Sequence, residues 1–109
     1  MKSDILAILI AALAAAVFFN AVIAHAADAE KLNKDKGCSA CHALDKKLVG
    51  PAYQEIAAKY NGDAGAQANL EKKVRDGGSG VWGAIPMPPH KGRISDAELT
   101  ILVSWVLAR

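Results

Sequence analysis

The sequence predicts an all-α fold with about four helices and one long structured loop. Three observations carry this. Apolar residues recur at helical spacing in separate segments, and no segment shows the period-two alternation of a half-buried strand. Chain breakers are concentrated in one place, since the run from Gly77 to Ile94 holds five Gly and three Pro.

The elements follow in order. Met1 to Asp4 is a short charged start, and Ile5 to Phe19 is an unbroken apolar run. Asn20 ends the run, and Ala24-His25-Ala26 supplies the small-x-small pattern at which a signal peptidase cuts. Residues 1–26 are therefore predicted as a secretory signal peptide and residues 27–109 as one domain. An uncleaved membrane anchor is the alternative, because the apolar stretch comes near the length that spans a bilayer. After the leader, Asp28 is placed to cap a short helix through Lys36, with Gly37 as its stop. Gly50-Pro51 breaks the chain, with Pro51 suited to the first turn of a second helix whose stripe is Ala52, Tyr53, Ile56, Ala57 and Tyr60. Asn61-Gly62 ends that helix.

Asp63 is placed to cap a third helix from Ala64 to about Asp76, with Ala66, Leu70 and Val74 on one face and Gly77 as the stop. A loop as long as Gly77 to Ile94 in so small a domain is usually functional. Ser95 and Glu98 form a capping box that opens the last helix, whose Leu99, Leu102, Val103 and Val106 face one way.

The net charge is +2. Leader removal takes one basic residue, Lys2, and one acidic residue, Asp4, so the balance does not change. Such a mild charge, without blocks of one sign, gives no argument for nucleic acid. At this size an apolar core alone is marginal, and small exported domains usually add disulfides or a bound metal group. The two Cys of the chain, Cys38 and Cys41, close only a tiny loop if paired with each other.

In Cys38-Ser39-Ala40-Cys41-His42 four chemistries compete. A thioredoxin-type dithiol expects a βαβ context, and this chain reads as helical. A structural zinc site needs four ligands, and beyond the motif only His90 offers a distant nitrogen. A plain disulfide leaves His42 incidental, although only 3 residues of the chain are His. Covalent haem attachment uses all three residues: two thiols add to the haem vinyl groups, and the adjacent imidazole becomes the proximal iron ligand. The predicted cofactor is one haem c.

A sixth ligand converts such a haem from a gas- or peroxide-accessible centre into an electron carrier. Met87 is the one methionine after the leader, and Pro86, Pro88 and Pro89 around it stiffen the loop that presents its sulfur. His90 is the competitor for that face, with a solvent-facing loop position as its default. The predicted iron ligands are His42 and Met87.

Gly37-Cys38-x-x-Cys41-His42-Ala43, Val49-Gly50-Pro51-Ala52-Tyr53, Gly80-Val81-Trp82-Gly83-x-Ile85-Pro86-Met87-Pro88-Pro89 and Ser95-Asp96 together resemble the small bacterial class I c-type cytochromes of the cytochrome c-551/c-552 type, over essentially the whole segment after the leader. The resemblance implies a periplasmic, monomeric electron carrier with no substrate of its own. Its implied partners are redox proteins: a donor such as a quinol–cytochrome c reductase, and an acceptor such as a nitrite reductase, terminal oxidase or peroxidase. No nucleic acid, and no membrane after leader cleavage, is implied. It further implies thioether links at Cys38 and Cys41, axial ligation by His42 and Met87, and a Pro51 carbonyl that accepts the other imidazole N–H of His42. Trp82 is implied to reach a haem propionate, as is a basic residue on the third helix, Lys73 or Arg75. After Pro89 the chain departs from the pattern, because His90-Lys91-Gly92-Arg93-Ile94 makes a longer, basic link to the Ser-Asp cap. Lys34, Lys36, Lys46, Lys47, Lys91 and Arg93 are candidates for a basic rim that steers acidic partners. An open-iron haem peroxidase or gas sensor is the alternative function, and a free dithiol oxidoreductase a third.

Overall fold

The computed structural model describes the backbone of residues 1–109 and the side chains of all but residues 21–24. Among the described residues there are four α-helices: α1 (Lys2–Asp35), α2 (Tyr53–Lys59), α3 (Ala66–Asp76) and α4 (Asp96–Leu107). A single 3₁₀ turn, Cys38–Ala40, follows α1. Among the described residues there is no β-strand, only two isolated bridges, His42 with Lys47 and Gly78 with Met87. The predicted all-α architecture is the one observed.

Helix α1 differs from expectation. It runs unbroken through the predicted leader, so Asp28 lies in its interior instead of capping a new helix. No Gly or Pro interrupts Lys2 to Asp35, and nothing else in that run stops helix propagation. The first part of α1 is bare, with Ile5, Leu9, Val17 and Phe18 all exposed. Its last part belongs to the domain, because Ala29 is fully buried. Gly37 ends the element with φ 79°, a left-handed conformation open to glycine, and so turns the chain into the cysteine motif. The predicted stop at Gly37 therefore holds.

Pro51 sits just before α2, one residue ahead of the N-cap Ala52, and not in the first turn. The Ala52 N–H donates to the Glu55 carboxylate at 3.0 Å, which satisfies one of the free donors of the helix start. Helix α3 starts two residues later than expected. Asp63 Oδ1 accepts from the Gly65 N–H at 2.8 Å, an Asx turn that uses the capping oxygen before the helix begins. The α4 capping box is complete: Glu98 N–H donates to Ser95 Oγ at 3.2 Å, and Ser95 N–H donates to the Glu98 carboxylate at 2.9 Å.

Helix α4 packs against α1, α2 and α3 and is the centre of the core. Leu99 is fully buried, and Leu102, Trp105 and Val106 join Ala29, Tyr53 and Ile56 in one apolar cluster. Ala29 and Trp105 are the two buried residues that helical spacing did not single out. Two clasps tie the helix ends together. Lys36 reaches Glu98 at 3.3 Å from the end of α1, and Arg75 reaches Asp96 at 2.8 Å from the end of α3.

Candidate functional site

The cysteine motif is folded by short-range hydrogen bonds. Cys41 N–H and His42 N–H both donate to the Cys38 carbonyl, at 3.1 and 3.0 Å, which winds the motif into one tight turn. Gly50 N–H donates to the Cys41 carbonyl at 2.8 Å and draws the Val49-Gly50-Pro51 segment against it. The approach is so close that only glycine fits at 50, since a Cβ there would lie 2.6 Å from Cε1 of His42.

His42 is fixed further by Pro51. Its Nδ1–H donates to the Pro51 carbonyl at 2.7 Å. A carbonyl only accepts, so the proton sits on Nδ1 and the Nε2 lone pair remains available as a metal donor. The imidazole also lies against the Tyr53 ring, with centroids 5.3 Å apart and planes 17° from parallel. Tyr53 meets Trp105 edge-on from α4, at 5.4 Å and 73°. Burial, aided by the two neighbouring thiols, holds the Tyr53 phenol far above its ordinary range, so it stays protonated. Burial likewise pushes the Cys38 thiol up, with Cys41 adding to the shift.

The long loop is pinned at its ligand end. Met87 N–H donates to the Gly78 carbonyl at 2.9 Å, and Gly78 N–H donates back to the Met87 carbonyl at 3.0 Å. Gly77, at φ 68°, is also required here, because a Cβ would come within 2.4 Å of the Met87 carbonyl oxygen. Beyond the prolines, His90 N–H and Lys91 N–H donate to the Val74 and Arg75 carbonyls at 2.9 and 3.1 Å. These are carbonyls that the end of α3 would otherwise leave free.

These segments enclose a cavity of about 470 Å³. All six predicted site residues line it: Cys38, Cys41, His42 and Pro51 from the motif side, Trp82 and Met87 from the long loop. Apolar side chains of α2, α3 and α4, among them Ile56, Leu70, Val74, Leu102 and Val103, form its walls. A volume in the range of about 300–1,000 Å³, apolar walls and a few placed donors describe a cofactor site. The donor set is two thiols, one imidazole and one thioether, which suits a haem and not a hard cation.

The remaining expectations sort by position. Lys73 lines the cavity, whereas Arg75 is taken up by Asp96 and by Glu71 at 3.8 Å. His90 does not line the cavity, and its Nδ1–H donates to the Pro88 carbonyl at 2.9 Å, consistent with the loop role expected by default. Trp82 is 38% exposed at the cavity mouth, with the Lys59 ammonium 5.6 Å above its ring, a cation–π contact absent from the sequence reading. Of the proposed basic rim, Lys47 lines the cavity and Lys36 is paired with Glu98. Lys34, Lys46, Lys91 and Arg93 are exposed.

Comparison with known proteins agrees with this geometry. Residues 26–109 match the cytochrome c family. The chain is 54% identical over 86 residues to cytochrome c-551 of Pseudomonas aeruginosa, covering 79% of this chain and 81% of that protein. It is 51% identical over 79 residues to cytochrome c-552 of Hydrogenobacter thermophilus, covering 72% of this chain and 79% of that one. The crystal structure of wild-type Nitrosomonas europaea cytochrome c552 superimposes with a TM-score of 0.69 at 46% identity, covering 72% of this chain and 96% of that chain. A cavity walled by apolar helices, a Cys-x-x-Cys-His turn at its edge and relatives of about half-identical sequence have one joint reading: the chain belongs to the cytochrome c family, as a small class I member of the c-551/c-552 type that carries one covalently attached haem c.

Proposed function

We propose that this cytochrome is a periplasmic single-electron carrier, and not an enzyme, whose haem is joined through Cys38 and Cys41 and ligated by His42 and Met87. The observation that carries the reading is the convergence of these four side chains on one apolar cavity, with His42 already oriented by Pro51. When bound, the haem supplies one-electron oxidation and reduction at its iron.

The residues of the chain do the rest. Pro51 holds the proton on Nδ1, keeping Nε2 a donor and making the imidazole more basic. Met87 presents a soft thioether, which favours the reduced metal and raises the potential relative to a second imidazole. The Gly78 bridge and the flanking prolines hold that sulfur in place, so little has to rearrange on electron transfer. The helix walls exclude water. Trp82 and Lys73, at the cavity, are assigned to the propionate carboxylates, and exposed Val49, Val81 and Ile85 along its lining leave an apolar edge for a partner to meet.

Partners are redox proteins, with a quinol–cytochrome c reductase as donor and a nitrite reductase, terminal oxidase or peroxidase as acceptor. The leader reading assigns residues 1–26 to export and 27–109 to the monomeric working domain. Two features support it: the bare apolar first part of α1, and a family match that starts at residue 26. At the cut site the side chain of Ala24 lies outside the described residues. His25 is exposed and Ala26 partly buried. N-terminal sequencing of exported protein should begin at Ala27, and Met1 or an earlier cut would refute the assignment.

The ligand reading is tested by absorption. The oxidised protein should show the weak sulfur-to-iron charge-transfer band at the red end of the visible, and Met87→Ala should abolish it. Ready carbon monoxide binding by the reduced wild-type protein at neutral pH would favour an open-iron sensor or peroxidase instead.

A further inference from the structure

Asn33 lies near the end of α1, outside the cavity, and is half-buried. The Tyr53 hydroxyl donates to its Oδ1 at 2.5 Å, which joins α1 to the start of α2. We propose that Asn33 is a positioning residue for the haem ligand: through Tyr53 it sets the tilt of the His42 imidazole. This rests on the assignment of His42 as an iron ligand.

The argument is geometric. The Nδ1–Pro51 hydrogen bond fixes one point of the His42 ring, and the ring can still rock about that point. A flat neighbour at 17° fixes a plane, and Tyr53 is that neighbour. Tyr53 is 4% exposed, so its hydroxyl has no ready access to water and depends on a protein acceptor. Asn33 is the acceptor the structure provides. Trp105 meets the Tyr53 ring at 73°, a contact that supports the ring without setting the direction of its hydroxyl. The chain of contact is therefore Asn33 amide, Tyr53 hydroxyl, Tyr53 ring, His42 ring. For a low-spin ferric haem, the orientation of the axial imidazole plane governs the anisotropy of the unpaired spin. That property is readable without any partner protein.

The test uses haem-loaded protein carrying Asn33→Leu, Tyr53→Phe, both together, or Asn33→Asp. Readouts are the ferric electron-paramagnetic-resonance g-values and the spread of the haem-methyl proton shifts. Asn33→Leu should change both in the wild-type background and leave them unchanged in the Tyr53→Phe background, where no hydroxyl remains to be held. Asn33→Asp keeps an acceptor and should restore the wild-type pattern. The proposal is overturned if Asn33→Leu leaves the pattern unaltered, or alters it equally in both backgrounds. Intact mass separates this from a failure of the site itself, because wild-type protein without covalently bound haem would refute the ligand assignment before any spectrum is compared.

Discussion

Gly50 lies against the imidazole of His42, so that a Cβ at this position would sit 2.6 Å from Cε1 and 3.1 Å from Nε2. The contact is with a ring held by Pro51 and Tyr53, not with a flexible chain end. Gly50→Ala should therefore displace His42 and strain its Nδ1 hydrogen bond. Overpacking of this kind costs about 1–3 kcal/mol. Urea unfolding should show that loss, together with an altered visible spectrum. An unchanged spectrum would mean that His42 is not held as described.

Leu99 is the largest fully buried side chain among the described residues, in the helix that all the others pack against. Leu99→Ala should cost about 2–5 kcal/mol by lost burial and a residual cavity. The urea midpoint should fall with the slope unchanged, as for a loss of stability without a change in the denatured state.

The α4 start makes stability sensitive to acid. The Ser95 backbone N–H, and next the Lys36 ammonium, hold the Glu98 carboxyl below the usual carboxylate range. A carboxyl depressed in the folded state stabilises it fully above the unfolded value, and that contribution disappears as pH falls through the folded value. Glu98→Gln should therefore lower the melting temperature at neutral pH and converge with wild type at acid pH. Ser95→Ala removes the other half of the box and should cost about 1 kcal/mol. Parallel melting curves for Glu98→Gln and wild type at all pH values would contradict this account.

Lys73 and Arg75 separate by role, although they lie close in sequence. Arg75 is bound to exposed Asp96, and exposed pairs are worth about 0.2–1 kcal/mol. Arg75→Gln should cost no more than that, lose its effect in high salt and leave the reduction potential unchanged. Lys73 lines the cavity, so Lys73→Gln removes a positive charge beside the haem and should lower the potential. Protein-film voltammetry of the two variants checks both statements.

Much of this was legible in the chain because the signals were local. Ser95 and Glu98 cap each other within one turn, Gly37 and Gly77 both adopt positive φ where a stop was expected, and the Cys-x-x-Cys-His spacing names its own chemistry. The stripe of α2 is legible for the same reason, with Tyr53 and Ile56 both buried. Pro51 falls just before α2 and not in its first turn, and two expected caps are not formed. Asp28 lost its cap to an uninterrupted helix, and Asp63 gave its oxygen to Gly65. What sequence could not reveal was tertiary: the pairing of Asn33 with Tyr53, the edge-on meeting of Trp105 with Tyr53, and Lys59 over Trp82. No periodicity or spacing encodes contacts between such distant positions.

The tether of His90 and Lys91 to the last carbonyls of α3 divides the long loop into a long part that carries Met87 and a short downstream link. Upstream of it, Met87 is locked to Gly78; downstream, Gly92 and Arg93 only bridge to the α4 cap. Extra residues in that downstream link are absorbed as slack, like rope beyond a cleat, and do not pull on the sulfur. Lengthening that link by a residue or two should thus leave the colour and redox character of the centre unchanged.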